Sequence, residues 1–303
     1  MSSVSTHPRP APEAQGPPET QATPEAAPSA GPRRDVAWPA VSAIAWREIV
    51  RFFRQRNRVI GAVMTPVVFW VLLGLGLNET FRVNPAAEGM PTEAGTPGRE
   101  AVGYLEFFFP GMVVLMVLFT AIFSTISVIE DRKEGFLQGV LASPARRWAI
   151  VLGKVLGGAA IATAQGLVLL VIWCVFFSWP GAIHLVAAVA VMFVVAVGLT
   201  GLGLCIAWPM DSTAGFHAVM NLLLMPMWFL CGAVFPVETA GPMKWVMYAN
   251  PLTYGNAAFA QALMGDRAVG IGVPGWVVML VMLGSAFAAV AGATRLASRK
   301  GKT

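Results

Sequence analysis

The chain has 303 residues, 56% of them hydrophobic and only 12% charged, where a soluble domain carries about 25% charge. Its net charge of +5 would suit nucleic acid, but most Lys and Arg stand beside apolar runs, as topology signals do, and a nucleic-acid partner is excluded. Cys174, Cys205 and Cys231 stand singly inside apolar runs, without metal or disulfide spacing, and read as small packing residues.

Taken in order, residues 1–38 form a Pro/Ala-rich segment that cannot bury a core and is expected to be a disordered cytoplasmic tail. It has no apolar h-region, so no cleavable signal peptide is expected. From Val41 to Asn57 the pattern changes. Val41, Ile44, Ala45, Ile49, Phe52 and Phe53 recur at helical spacing against Arg47, Arg51 and Arg54, with Trp46 placed as an interfacial anchor. Such a basic amphipathic helix lies along the inner leaflet, or is simply the solvated start of the first span.

Six apolar runs follow, at Val59–Leu77, Phe107–Ile129, Ala149–Phe177, His184–Ala207, Ala218–Val237 and Pro274–Thr294. At about 1.5 Å per residue each is about long enough for a ~30 Å hydrocarbon core. Thirteen cations flank them on one side and four on the other, which places both termini and the Glu130 loop in the cytoplasm. The expected fold is an all-α integral membrane protein with six transmembrane helices, an N-terminal interfacial helix and short outer helices between spans five and six.

Between spans two and three lies a polar insertion from Glu130 to Lys154 with dense charge of both signs. Asp131 is placed to cap a short helix and Glu134 to reach back to it, and Pro144 ends it. Phe136, Leu137, Val140 and Leu141 form an apolar ridge on this helix. That ridge either lies against its own bundle or docks in a partner's groove. Lys154 is close enough to the surface to snorkel.

On the outer side, Asn250 is placed to cap a helix that starts at Pro251 and ends at Gly265. This segment, which includes Tyr254, is too short to span and should lie at or dip into the outer interface. No GxxxxGK[ST], HExxH or GxSxG occurs, so neither ATP hydrolysis nor another catalytic or metal site is expected in the chain, and no cofactor. The spans hold no mid-membrane acid, which counts against an ion-coupled carrier. Gly153, Gly157 and Gly158, with Gly198, Gly201 and Gly203, permit close helix approach.

The run Glu130-Asp131-Arg132-Lys133-Glu134-Gly135, then Leu141, Ser143 and Pro144, then Gly153-Lys154, resembles the cytoplasmic loop of ABC-2 type ABC-transporter permeases. That group includes daunorubicin-resistance and nodulation lipo-oligosaccharide exporters. The resemblance covers roughly residues 43–297, and makes 39–303 one transmembrane domain. It implies a permease subunit of an ATP-driven exporter in the cell (inner) membrane, without a nucleotide site of its own. The substrate it implies is hydrophobic or amphipathic, such as a drug or a lipid–saccharide conjugate. It implies a separate ABC ATPase that receives the Glu130 loop, and a second permease copy or paralogue with the translocation path at their interface. A membrane assembly factor or an ion-coupled carrier remains the rival reading of the residues.

Overall fold

Fifteen residues in the stretch from Tyr104 to Ile122, thirteen of them with apolar or aromatic side chains, lie buried on all sides of one helix, and the other helices are laid around it. The computed structural model describes residues 37–78, 82–83, 102–142, 146–177 and 179–299. The expected tail therefore lies outside the described residues, except for Ala37 and Trp38. Between residues 79 and 103 two short stretches are described, β1 (Arg82–Val83) and β2 (Val102–Gly103), which pair antiparallel with Arg82 opposite Gly103.

The helices run α1 (Ala37–Arg54), α2 (Arg56–Asn78), α3 (Tyr104–Ser124), α4 (Ile126–Lys133), α5 (Phe136–Ala142), α6 (Arg147–Phe176), α7 (Ala182–Ala207) and α8 (Thr213–Phe229). After a single 3₁₀ turn come α9 (Lys244–Ala249), α10 (Pro251–Met264) and α11 (Gly275–Arg299). Among the described residues, five helical stretches are long and apolar enough to cross a membrane: α2, α3 with α4, α6, α7 and α11. The fold is all-α, as its unbroken apolar runs dictate.

Two spans differ from expectation. The second continues to Lys133, with a break at Thr125 where the hydroxyl turns back to donate to the Ile122 carbonyl at 2.6 Å. The fifth starts earlier, at Thr213, and ends at Phe229 after 17 residues. Ser212 caps its start by accepting from the Gly215 N–H. Its end is fixed from outside: Asn250 Nδ2 donates to the carbonyls of Met227 and Leu230 at 2.6 and 3.2 Å, so the chain leaves the helix with its last carbonyls satisfied. Among the described residues, five helical stretches rather than six are thus long and apolar enough to cross a membrane, and α8, with 17 residues, falls just short.

Exposure follows position. In the α3–α4 stretch 83% of the most apolar window is buried, against 17% in α2. Aromatic residues fill the core near the start of α3: Phe109 meets Trp173 at a centroid distance of 4.9 Å, and Trp173 stacks on Phe177 at 4.5 Å. The polar edges of these rings are tied to backbone, Trp228 to Gly111 at 2.8 Å and Trp70 to Leu105 at 3.0 Å. The small-residue stripes serve packing within the chain. A Cβ on Gly201 would lie 3.0 Å from Val290 of α11, and one on Gly203 would lie 2.9 Å from Thr125.

Candidate functional site

The apolar face of α1 carries one acid, Glu48, among Ala37, Val41 and Phe52. That face lies on α6, where two glycines allow near-backbone approach: a Cβ on Gly153 would meet Ile44 at 2.9 Å, and one on Gly157 would meet Glu48 at 3.0 Å. Glu48 is thereby delivered to Lys154, whose Nζ donates to Glu48 Oε1 at 2.7 Å, to Asp131 Oδ2 at 2.6 Å and to Ser127 Oγ at 3.1 Å. All three ammonium protons have acceptors.

Asp131 is equally saturated. Its Oδ1 accepts from Arg47 at 2.8 Å and Arg51 at 2.9 Å, and its Oδ2 accepts from Arg47 at 3.2 Å besides Lys154. Arg51 also donates to Glu130 Oε2 at 2.8 Å and lies 3.6 Å from Glu134. Asp131 is wholly buried and Lys154 is 4% exposed. A charge set of this kind is sustained inside a protein only when every member is paired and hydrogen-bonded. For Arg47, burial alone would lower the guanidinium pKa, but the Asp131 and Glu48 carboxylates outweigh it and raise it above its ordinary value.

Two expectations are corrected by this joint. Asp131 does not cap the loop helix, because its carboxylate is occupied by three cations, and Glu134 ends α4 in helical conformation instead of reaching back. Lys154 does not snorkel, since its partners sit beside it inside the bundle. The loop helix begins after Gly135, whose φ of +76° suits glycine and redirects the chain.

On α5 the apolar ridge divides. Leu137 is 3% exposed and packs with Val128, Val151, Leu204 and Trp208 of its own bundle. Phe136 is 39% exposed, and the Arg47 guanidinium lies 3.8 Å above its ring. For Leu141 only the backbone is described, and Pro144 lies outside the described residues. Arg132 turns away from the loop to donate to the Trp208 and Met210 carbonyls and to Asp211.

On α1, Ile49 is half-buried, Phe52 is buried, and Phe53 is exposed at the helix end. Trp46, expected as an anchor, is 67% exposed. Beside α1 opens an apolar cleft of about 780 Å³ between α2, α3, α4 and α8. Phe69, Phe119, Trp228 and Phe229 stand among its walls, with Phe52 of α1 and Ile126 and Glu130 of α4. Met225 lines the cleft, and His217 stands against Phe123 at a centroid distance of 5.1 Å.

The outer cap forms as its sequence implies. Asn250 Oδ1 accepts from the Leu252 N–H at 3.0 Å, Pro251 opens α10, and Gly265 follows its last residue with φ +58°. Its Leu252, Phe259 and Leu263 are buried against α7, α11 and α3. Tyr254 donates to the Tyr248 carbonyl at 2.9 Å. Burial and the neighbouring Glu238 carboxylate push the Tyr248 phenol up to about 12.

Neither Glu48 nor the role of Lys154 was read from sequence. A lone acid on an apolar helical face and a lone lysine beside GxxxG-type spacing were the available signals. Among the described residues no His, Cys, Asp or Glu cluster with metal-ligating geometry occurs.

Comparison with known proteins identifies the family. Nodulation protein J of Rhizobium meliloti (strain 1021) is 24% identical over 245 residues, 78% of this chain and 84% of that protein. The "Probable multidrug ABC transporter permease YbhR" of Escherichia coli (strain K12) is 25% identical over 170 residues, 55% of this chain. The chain spans about half the length of YbhR, 46% of that protein. ABC transporter G family member 20 of Dictyostelium discoideum is 26% identical over 207 residues, 27% of its length. Residues 39–264 match the family model described as ABC-2 type transporter. The chain is a multi-pass membrane protein that belongs to the ABC-2 type transporter family.

Proposed function

We propose that this chain is the permease subunit of an ATP-driven exporter, moving a hydrophobic or amphipathic substrate across the cell membrane with a separate ABC ATPase. The observation that carries the reading is the cleft of about 780 Å³, walled by aromatic and aliphatic side chains and ending at a carboxylate, Glu130. Such a lining suits an amphipathic molecule, which loses little by leaving a bilayer for it. These 303 residues hold no phosphate-binding loop, which fits ATP hydrolysis outside them, in the proposed ATPase. The half-exposed Phe136 on α5 is the favoured docking point for the ATPase.

In this reading residues 39–303 form one transmembrane domain in the inner membrane, residues 1–38 are a dispensable tail, and both termini are cytoplasmic. The exposed faces of α2 and α8 beside the cleft receive lipid and a second permease, a copy or a paralogue. The rival ion-coupled carrier has one feature in its favour, the buried charges around Lys154. Asp131 and Lys154 have every hydrogen-bonding position filled by protein, which leaves no place for a transported cation.

The test is reconstitution of the chain with its candidate ATPase in sealed vesicles. Lipophilic dyes should be moved on ATP addition, and their presence should raise ATP turnover. Movement driven instead by a proton or sodium gradient without ATP would refute the exporter reading.

A further inference from the structure

The charge joint connects three helices that differ in their expected roles: α1 an anchor, α4 the approach to the loop, and α6 a span. Five charged side chains make it, Arg47, Glu48 and Arg51 from α1, Asp131 from α4 and Lys154 from α6. Each Asp131 oxygen accepts twice and each Lys154 proton is used, so rotation of one helix against another leaves a buried charge unpaired. Arg47 extends the joint onto α5 through the Phe136 ring.

Above the joint the helix breaks. Thr125 separates α3 from α4, and Gly203 of α7 gives that break room. The cleft straddles the break: Leu115, Phe119 and Phe123 line it from the α3 side, while Ile126 and Glu130 of α4 and Phe52 of α1 line its inner end.

We propose that Lys154 is a positioning residue that locks α1, α4 and α5 to α6 as one moving unit, hinged at Thr125, whose displacement opens and closes the inner end of the cleft. In this arrangement α1 is a working part of the transport cycle, with Phe52 as the side chain it carries across the cleft mouth. The inference rests on the exporter reading for the source of the displacement. The rigidity of the unit stands apart from it.

The experiment uses spin-label pairs in the full chain in nanodiscs, with Cys174, Cys205 and Cys231 replaced by Ala. Labels at Ala43→Cys and Gln138→Cys report distance within the unit, from α1 to α5. Labels at Gln138→Cys and Ala218→Cys report distance across the cleft, from α5 to α8. Without nucleotide, the first pair should give a narrow distribution that roughly doubles in width in Lys154→Met, where Asp131 keeps both arginines and the fold survives. With the ATPase bound, ATP should shift the second pair and leave the first in place. Lys154→Met should then hydrolyse more ATP per molecule moved, while Lys154→Arg, which keeps a cation beside Asp131 and Glu48, should retain part of the coupling. A broad first distribution in the parent chain, or an unaltered one in Lys154→Met, overturns the joint. So does an ATP-dependent change in the first pair. If ATP shifts neither pair and no ATPase binds, the exporter reading fails, while the nucleotide-free widths still decide the joint.

Discussion

Arg132 Nη2 donates to the carbonyl of Trp208 across 2.7 Å, so the last turn of α4 closes the last turn of α7. Its other terminal nitrogen reaches the Met210 carbonyl at 3.0 Å and Asp211 at 2.8 Å. A guanidinium suits this place because it supplies several donors in one plane to carbonyls that the helix leaves without partners.

Replacing Arg132 by Gln should therefore act on stability, where hydrogen bonds to charged groups contribute about 1.5–3 kcal/mol. The variant should insert normally and unfold at lower temperature in a thermal assay. Normal unfolding with selective loss of ATPase binding would show that Arg132 serves docking instead.

The divided ridge of α5 gives a paired test. Leu137→Ala removes a buried side chain and should cost about 2–5 kcal/mol. Phe136→Ala removes a half-exposed one, and should leave thermal unfolding nearly unchanged while less ATPase co-purifies. If both substitutions lower stability equally and neither alters ATPase recovery, α5 is only a packing element.

Gly157 marks a close approach of α1 to α6. A valine there has no room against Glu48 and Ala45, and overpacking of this kind costs about 1–3 kcal/mol. Gly157→Val should lift α1 off α6 and make the chain after Arg54 open to protease. Protection equal to that of the parent chain would place the contact elsewhere.

Asn250 joins two helix ends, capping α10 and holding the carbonyls at the end of α8. Asn250→Ala should cost about 0.5–2 kcal/mol for the lost cap, and more if the Met227 carbonyl stays dry. Asn250→Asp keeps the cap acceptor and loses the donor, so it should fall between the two. An Asp variant as damaged as the Ala variant would assign the whole effect to the donor side.

Orientation is tested chemically. In a background free of native cysteine, Gln138→Cys should resist an impermeant thiol reagent in intact cells and Ala240→Cys should react. The reverse pattern would turn the protein over in the membrane.

Local patterns carried much of the fold into view. The apolar runs of α6, α7 and α11, the amphipathic alternation of α1 and the Asn250-Pro251 start of α10 are each written in neighbouring residues. The joint is not, because Arg47 and Asp131 are 84 residues apart and Glu48 and Lys154 are 106 apart. Asp131 followed by Glu134 has the spacing of a capping box. Three cations from distant helices compete for the same carboxylate and win, since a buried charge gains more from them than a surface turn gains from a cap. The cleft has no local signature at all, for its walls come from five helices that meet only when folded.

The same long separations set a timetable for synthesis. At about 5–20 residues per second, Glu48 leaves the ribosome roughly 5–20 s before Lys154 does. Through that interval the acid on the apolar face of α1 has only the adjacent Arg47 as counter-charge, at 3.4 Å, and lacks the shorter contact from Lys154. A nascent chain halted before residue 154 should accordingly show α1 loosely held and open to protease, and one released past it should not. Pulse-labelled arrest products of graded length would show the step, and its absence would mean that something other than Lys154 receives α1 first. Lys154 thus dates the moment at which the N-terminal helix becomes part of the protein.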